Sequence, residues 1–191
     1  MQVDEKIENK LIAKEYKNLL RLSYRSLSEK DKKLIRIAFD TSVDAHKNQR
    51  RKSGEAYVFH PIGVAKIVAS QIGLDATSIS AALLHDVIED TKYKLEDIEK
   101  VFGNKVARIV EGLTKISNLK KDTEISFQAE NFRKMLLTLN DDIRVIIIKI
   151  ADRLHNMQTL EFMTEKKQLK IASETLYICL LYTSDAADDW S

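Results

Sequence analysis

The sequence predicts an all-α fold, a helical bundle around one hydrophobic core. Its 191 residues include five Gly and one Pro, too few for the many turns that a sheet-rich domain of this length needs. With 44% hydrophobic and 31% charged residues, the chain has enough apolar surface for one sizeable core. Capping and stop signals divide it into roughly eight or nine helices.

The first helices have recognisable starts and ends. A first helix is predicted over residues 4–22. Ser28 and Asp31 have the spacing of a capping box and open a second helix that runs to about residue 47. Residues 48–57 are polar and basic and include a glycine, so they predict a loop.

Another helix start is marked by His60 and Pro61, because proline suits the first turn of a helix, where its missing N–H would have no partner. Gly73 is expected to end this helix. Asp75 can then cap the segment 76–90, which is apolar until its last residues.

The second half of the chain is predicted to contain an exposed loop at 117–126 and several further helices. These helices are expected at 95–102, 105–116, 127–139 and 142–162, with Thr164 capping a last one.

Charge and cysteine content indicate a cytoplasmic protein. The net charge of +2 argues against a nucleic-acid partner, and local basic clusters such as 166–170 are usually solvated faces. One cysteine, Cys179, cannot form an internal disulfide, which fits a reducing compartment. Residues 1–10 lack the apolar stretch of a signal peptide, and the longest apolar run, 176–182, is too short to span a membrane.

Three carboxylates crowd the end of segment 76–90. Asp86, Glu89 and Asp90 are spaced i, i+3 and i+4, so on a continuous helix they share one face near its C-terminus. There they repel one another and the negative end of the helix dipole. A divalent cation would relieve this repulsion, and imidazole beside carboxylate, as in His85 and Asp86, suits Mn, Fe or Zn. The simpler interpretation is a solvated acidic helix end.

A fourth carboxylate follows a strongly apolar run. Residues 145–151 are apolar except for Lys149, which predicts a helix buried on most sides. Asp152 therefore needs a partner, because an unpaired buried charge is very unfavourable. Arg153 is one candidate partner, and a metal ion is the other.

The order of these residues carries more information than any one of them. His60 alone would more simply be a capping or packed histidine, and a single His-Asp dipeptide is a weak signal. The ordered set of His60, then His85 with Asp86, then the distant Asp152 is the pattern of the HD superfamily of metal-dependent phosphohydrolases.

Two further polar residues lie on the turn after Asp152. Asn156 shares its face and is expected to bind substrate or to orient a ligand. His155 lies near that face and is expected to pack there rather than to bind the metal.

Five segments extend this pattern. They read RKSGEAYVFHP at 51–61, AALLHDVIEDT at 81–91, EGLTKI at 111–116, QAENFRKM at 128–135 and IKIADRLHNM at 148–157. Together they resemble the N-terminal hydrolase domain of the RelA/SpoT family, the long enzymes that make and destroy the guanosine alarmones (p)ppGpp. The likeness covers about residues 5–178 and implies the helical bundle of an HD domain.

The resemblance implies a role for each matching position. The implied ligands of a manganese ion are His60, His85, Asp86 and Asp152. Glu89 and Asp90 match the acidic pair that acts on the attacking water. The implied nucleotide-binding residues are Arg51, Lys52, Ser53, Asn156 and Thr159. The implied reaction removes the 3′-pyrophosphate of guanosine tetra- or pentaphosphate, giving GDP or GTP and pyrophosphate.

The chain departs from the family pattern in three places. Ala56 stands where the family usually has proline, and Gln158 stands where arginine is common. Residues 179–191 do not resemble the family's continuation toward its synthetase domain and look like a translated transposon-derived sequencing adapter. We therefore expect 1–178 to be a hydrolase domain, with synthetase and regulatory domains in a full-length parent chain. Residues 179–191 are expected to be a foreign tail, and the simpler alternative is a natural frayed terminus.

Two other functions fit parts of the pattern. An HD-type nucleotidase or phosphodiesterase would use the same metal site on another nucleotide, although the loop around Arg51 argues against it. A regulatory fragment without activity would retain the fold, but the four metal-site residues and the pair Glu89 and Asp90 are all present.

Overall fold

A computed structural model describes residues 5–23, 27–118, 142–173 and 175–176. Its helices are α1 (Glu5–Leu22), α2 (Glu29–His46), α3 (Phe59–Lys66), α4 (Ala76–Leu83), α5 (Val87–Asp90), α6 (Leu95–Phe102), α7 (Asn104–Asn118) and α8 (Ile143–Gln158). A π-helical turn, Ile67–Ile72, continues α3, a 3-10 turn, Leu160–Phe162, follows α8, and residues 165–173 are again helical. These ranges contain no strand, so the all-α prediction is confirmed.

The predicted capping signals are present. The hydroxyl of Ser28 accepts a hydrogen bond from the backbone N–H of Asp31 at 3.2 Å, and the Asp31 carboxylate accepts one from the backbone of Ser28 at 3.0 Å. Asp75 caps α4 by accepting from the N–H of Ser78 at 3.0 Å. Gly73 ends the preceding helix with a φ of 76°, a left-handed conformation that glycine adopts without steric strain.

The helix α4 lies at the centre of the bundle and packs against α2, α3 and α7. All its residues except Thr77 are buried. Alanine and serine are frequent in it, and their small side chains let neighbouring helices approach closely. The helix α8 completes the packing through contacts with α3, α4 and α7. The core therefore surrounds the segment that precedes His85.

One sequence interpretation is wrong. Residues 76–90 are not one helix, because α4 ends at Leu83 and the chain turns before α5 begins at Val87. Asp86 directly precedes α5, and Glu89 and Asp90 lie in its only turn. Asp86 thus lies at the N-terminal end of α5, where a carboxylate is electrostatically favourable, and Glu89 and Asp90 lie within its single turn rather than at the end of a long helix.

The remaining elements largely follow the prediction. The helices predicted at 95–102 and 105–116 correspond to α6 and α7, and 142–162 divides into α8 and the 3-10 turn. The helix predicted at 127–139 and the tail 179–191 lie outside the described residues, as does all of the loop at 117–126 except 117–118, which still belong to α7. Within the described ranges, every helix is too short or too polar to cross a membrane.

Candidate metal centre and its cavity

Three parts of the fold bring the four predicted metal ligands together. His60 lies in the first turn of α3, His85 and Asp86 occupy the turn between α4 and α5, and Asp152 belongs to α8. Because α3 packs against both α4 and α8, these side chains meet inside the bundle. Both histidines and Asp152 are buried, and the side chain of Asp86 is 13% exposed.

The distances between these side chains suit a single ion. Nε2 of His60 lies 3.2 Å from Oδ1 of Asp152 and 3.6 Å from Oδ2 of Asp86. Nε2 of His85 lies 3.0 Å from Oδ2 of Asp86 and 3.9 Å from Oδ1 of Asp152. One ligand atom from each of His60, His85 and Asp152 lies within 4.8 Å of the other two. Such a buried group of imidazoles and carboxylate can hold a divalent cation.

His85 has the hydrogen bonding expected of a metal ligand. Its Nδ1 lies 2.7 Å from the carbonyl oxygen of Ala82, so Nδ1 carries a proton and donates to that oxygen. Its Nε2 is fully buried and has no aligned hydrogen-bond partner among the described residues, although Asp86 is near. A backbone contact that fixes one ring nitrogen leaves the lone pair of the other for a metal. The residues present therefore fit a divalent metal ion.

His60 is oriented by a second histidine. Its Nδ1 lies 3.0 Å from Nδ1 of His155. Burial and the nearby charges of His60 and Arg51 lower the pKa of His155 to about 3, so its ring is neutral and can accept this hydrogen bond. His60 then donates through Nδ1 and keeps Nε2 directed at the carboxylates. As predicted, His155 packs beside the site, and neither of its ring nitrogens belongs to the cluster of ligand atoms from His60, His85 and Asp152.

A buried lysine balances the carboxylates. Nζ of Lys149 lies 3.2 Å from Oδ2 of Asp152, so this residue pairs with Asp152 in the position that the sequence suggested for Arg153. Burial alone would lower the pKa of Lys149, but Asp152 and Asp86 raise it overall and keep the ammonium charged. Burial would likewise raise the pKa of Asp152, yet the charge of Lys149 helps to hold it well below its usual range.

Asp86 is also held in its ionised form. Burial is the largest influence and raises the pKa of Asp86, but the interactions with His85 and His60 together outweigh burial and place that pKa below its usual range. Burial alone would lower the pKa of His85, and the charges of Asp86 and Asp152 raise it instead to about 9. In the metal-free protein, a proton on His85 thus takes part of the place that a cation would fill.

The centre opens into a cavity of about 560 Å³. All five residues predicted to bind nucleotide line it: Arg51, Lys52, Ser53, Asn156 and Thr159. The Arg51 guanidinium donates to Oδ1 of Asn156 at 3.3 Å and to the hydroxyl of Thr159 at 3.2 Å. The side-chain amide of Asn156 donates to Oδ1 of Asp152 at 2.7 Å, so it orients a predicted metal ligand. Lys167 and Lys170, from the basic cluster near the C-terminus, also line the cavity.

The two residues of the predicted acidic pair have different surroundings. Glu89 lines the cavity together with His60, Asp86 and Asp152. The Asp90 carboxylate instead lies 3.2 Å from the hydroxyl of Tyr57. Its backbone carbonyl accepts a hydrogen bond from the side-chain amide of Gln49 at 2.7 Å. Glu89 therefore faces the space in which a substrate would lie, whereas the Asp90 carboxylate contacts Tyr57 and is not among the residues that line the cavity.

Two residues of the site were not identified from the sequence. Tyr57 donates a hydrogen bond to Oδ2 of Asp86 at 2.7 Å, but its position inside a polar loop carries no periodic signal. Lys149 was recognised only as a polar exception in an apolar run. The helical spacing of three residues between Lys149 and Asp152 was the signal that could have identified it.

Comparison with known proteins agrees with this geometry. Residues 38–180 match the family model described as HD domain, which is most of the chain. The chain therefore belongs to the HD domain family.

Similar proteins narrow the family further and bear out the resemblance to RelA/SpoT proteins. The bifunctional (p)ppGpp synthase/hydrolase SpoT of Escherichia coli strain K12 is 47% identical over 163 residues, which are 85% of this chain and 23% of that protein. The guanosine-3′,5′-bis(diphosphate) 3′-pyrophosphohydrolase of Haemophilus influenzae is 53% identical over 135 residues, 71% of this chain and 20% of that protein. The chain thus spans less than a quarter of the length of these relatives.

A solved structure shares the fold. It comes from work on a metazoan ortholog of SpoT described as hydrolysing ppGpp, and it superposes with a TM-score of 0.61 at 29% sequence identity. The match covers 81% of this chain and 87% of that one.

Substitution of Gly63 by alanine tests the contact between α3 and the ring of His155. A Cβ at this position would lie 2.1 Å from Nε2 and 2.3 Å from Cδ2 of the His155 ring. We expect Gly63→Ala to lower the free energy of unfolding by about 1–3 kcal/mol, because the ring must move within packed surroundings. Urea unfolding measures this change. Adding His155→Ala should relieve the clash, and strictly additive effects in the double variant would contradict the contact.

The protonated state of His85 leads to a prediction for cation binding. A metal at Nε2 must displace the proton that the pKa of about 9 retains at pH 7. Binding of Mn²⁺ should therefore release about one proton per ion at neutral pH and should strengthen as the pH rises toward that pKa. Calorimetric titration in two buffers of different protonation enthalpy measures the release. An enthalpy that is equal in both buffers would contradict the prediction.

Proposed function

We propose that this chain removes the 3′-pyrophosphate of the guanosine alarmones ppGpp and pppGpp, giving GDP or GTP and pyrophosphate. One observation carries this proposal. His60, His85 and Asp152 lie within ligand distance of one another, and this cluster opens into a cavity rich in cationic side chains. The relatives named as (p)ppGpp hydrolases support the choice of substrate. The intact site also speaks against a fragment without activity.

The proposed cofactor is Mn²⁺, held by His60, His85, Asp86 and Asp152. The donor set of imidazole and carboxylate suits Mn²⁺, and the resemblance to the RelA/SpoT family favours it over Fe or Zn. When bound, such an ion polarises a phosphoryl oxygen and lowers the pKa of a bound water. Lys149 adds a positive charge beside Asp152, 3.2 Å away, and limits the repulsion between the carboxylates.

Glu89 is the better candidate for the proton acceptor. Its side chain lines the cavity, so it can reach the attacking water, whereas the Asp90 carboxylate is next to the Tyr57 hydroxyl. A general base must lie within hydrogen-bond reach of the proton that it removes. We therefore assign proton transfer to Glu89 and a supporting role to Asp90.

The nucleotide is proposed to lie along the cationic part of the cavity. The Arg51 guanidinium, placed by Asn156 and Thr159, can stack on a purine as well as supply charge. Ser53, from the same loop, also lines the cavity. Contact with the Lys167 ammonium lowers the pKa of Lys52, so the two like charges are close together. A phosphate chain between them would relieve this repulsion.

The place of the protein in the cell is also part of the proposal. The composition favours the cytoplasm, where guanosine nucleotides are the expected partners and nucleic acid is not. Because the relatives are several times longer, we expect synthetase and regulatory domains in a full-length parent chain.

Pyrophosphate release from ppGpp is the direct test. We expect the folded protein to hydrolyse ppGpp with Mn²⁺ and to lose the activity when a chelator removes the metal. Asp152→Asn should reduce turnover at least a hundredfold, since it removes a charged ligand from the centre. Ion-exchange chromatography of the nucleotides measures the products. Competition with other nucleotides distinguishes a general nucleotidase, and a folded, metal-loaded protein that leaves ppGpp intact would contradict the proposal.

The roles of Glu89 and Asp90 can be separated with isosteric amides. Glu89→Gln should lower kcat about 10²–10⁴-fold, the usual contribution of a general base. Asp90→Asn should lower kcat by a factor at least ten times smaller than Glu89→Gln does, because the amide oxygen can still accept a hydrogen bond from the Tyr57 hydroxyl. Equal losses of kcat in the two variants, at saturating Mn²⁺ and with unchanged circular dichroism, would mean that Glu89 and Asp90 contribute alike to proton transfer. That result would overturn the assignment of the proton acceptor to Glu89.

A further inference from the structure

The hydroxyl of Tyr57 joins two carboxylates of different elements. It donates a hydrogen bond to Oδ2 of Asp86 at 2.7 Å, and Oδ2 of Asp90 lies 3.2 Å from the same oxygen. Asp86 is a predicted metal ligand in the turn before α5, and Asp90 is the last residue of α5. One phenol thus contacts both the metal centre and the acidic pair.

The backbone and ring of Tyr57 are fixed on several sides. Its N–H donates to the carbonyl of Gln49 at 3.0 Å, and its carbonyl accepts from the N–H of His60 at 2.9 Å. The ring packs against the buried His46, with centroids 4.8 Å apart, and meets His60 edge to face at 5.8 Å. These contacts leave the hydroxyl little freedom, so its position follows from the fold.

The same loop also holds the backbone of Asp90. The Gln49 side chain lies between His46 and Asp90, with Oε1 2.8 Å from Nδ1 of His46 and Nε2 donating to the Asp90 carbonyl at 2.7 Å. Gln49 and Tyr57 are paired through their backbones. The main chain of Asp90 is therefore hydrogen-bonded to Gln49 and its carboxylate to Tyr57, two residues of the same loop.

The phenol of Tyr57 is present in its donor form, because a tyrosine hydroxyl keeps its proton at neutral pH. The hydroxyl has one hydrogen, which it shares between two acceptors: the shorter contact gives Asp86 the larger share and the longer one gives Asp90 the smaller. Charge-assisted hydrogen bonds of this kind are stronger than those between neutral groups.

We infer that Tyr57 is a positioning residue, whose hydroxyl fixes the carboxylate of Asp86 for metal binding and keeps Asp90 beside it. A hydrogen bond to Oδ2 restricts how the carboxylate can turn toward an ion shared with His60 and His85. Partners of this kind typically change metal affinity 10–100-fold. The part of the inference that concerns turnover rests on the proposed hydrolase function, whereas the part that concerns metal binding does not.

Removal of the hydroxyl alone tests the inference. Tyr57→Phe keeps the ring contacts with His46 and His60, and we expect it to weaken Mn²⁺ binding about 10–100-fold in a calorimetric titration. At saturating Mn²⁺, kcat for ppGpp should fall about tenfold with KM changed less than about threefold, because Arg51, Asn156 and Thr159 hold the nucleotide. The matched control is Tyr93→Phe, whose hydroxyl donates to the exposed Asp44 at 3.2 Å and should affect neither quantity.

Restoring the donor separates positioning from packing. With p-aminophenylalanine at position 57, a para N–H donor returns, and Mn²⁺ affinity should recover to within about threefold of the unmodified chain. If Tyr57→Phe does not fold by circular dichroism, p-fluorophenylalanine, which is closer to tyrosine in size and cannot donate, replaces it. Affinity for Mn²⁺ equal to that of the Tyr93→Phe control would overturn the inference.

The two proposals can fail independently. If the unmodified chain binds Mn²⁺ and leaves ppGpp intact while loss of the Tyr57 donor still weakens metal binding, the proposed substrate is wrong and the positioning role stands. If ppGpp is hydrolysed and loss of the donor changes neither affinity nor kcat, the hydrolase proposal stands and Tyr57 only fills space.

Discussion

The placement of two ionised carboxylates, Asp86 and Asp152, beside each other inside a helical bundle is the constraint on which the remaining features of the site depend. Each group alone would be very unfavourable in such surroundings unless paired. The protein supplies Lys149 at 3.2 Å from Asp152 and His85 at 3.0 Å from Asp86. A hydrogen-bond donor then contacts each carboxylate: Asn156, one turn later on α8, contacts Asp152, and Tyr57, from the loop before α3, contacts Asp86. These partners make the arrangement stable enough to persist and still receptive to a cation.

The same partners connect metal binding with nucleotide binding. Arg51 contacts Asn156 and Thr159 on one side, and its guanidinium approaches Nδ1 of His155 at 3.5 Å. His155 in turn faces the Nδ1 of His60. Arg51, in the loop that is proposed to hold guanine, is thus separated from a proposed metal ligand by one residue on each of two routes, Asn156 to Asp152 and His155 to His60. This proximity explains why the residues of both roles occur in the same short sequence segments.

Much of the fold could be predicted from the sequence because capping residues and glycine stops, such as the capping box at Ser28 and the stop at Gly73, act locally. The meeting of His60 with Asp152 has no local signal and was predicted from the order of the motifs, which is the pattern of the HD superfamily. The partner of Asp152 was missed because Arg153 is adjacent in sequence, whereas side chains of consecutive helical residues point about 100° apart. Lys149, one turn earlier, shares the face of Asp152. Tyr57 could not be predicted, because its contact with Asp86 depends on how a loop lies against another element.

The break between α4 and α5 was not predicted from the sequence, since Leu84, His85 and Asp86 include neither glycine nor proline and a single aspartate is a weak turn signal. Yet this break lets two consecutive side chains serve one centre. On an unbroken helix they would diverge by about 100°, and only one could face the ion. Two of the four proposed metal ligands, His85 and Asp86, therefore depend on this one break between helices. A deletion or insertion of one residue there would remove both donors together, so the pair behaves as an indivisible unit in sequence change.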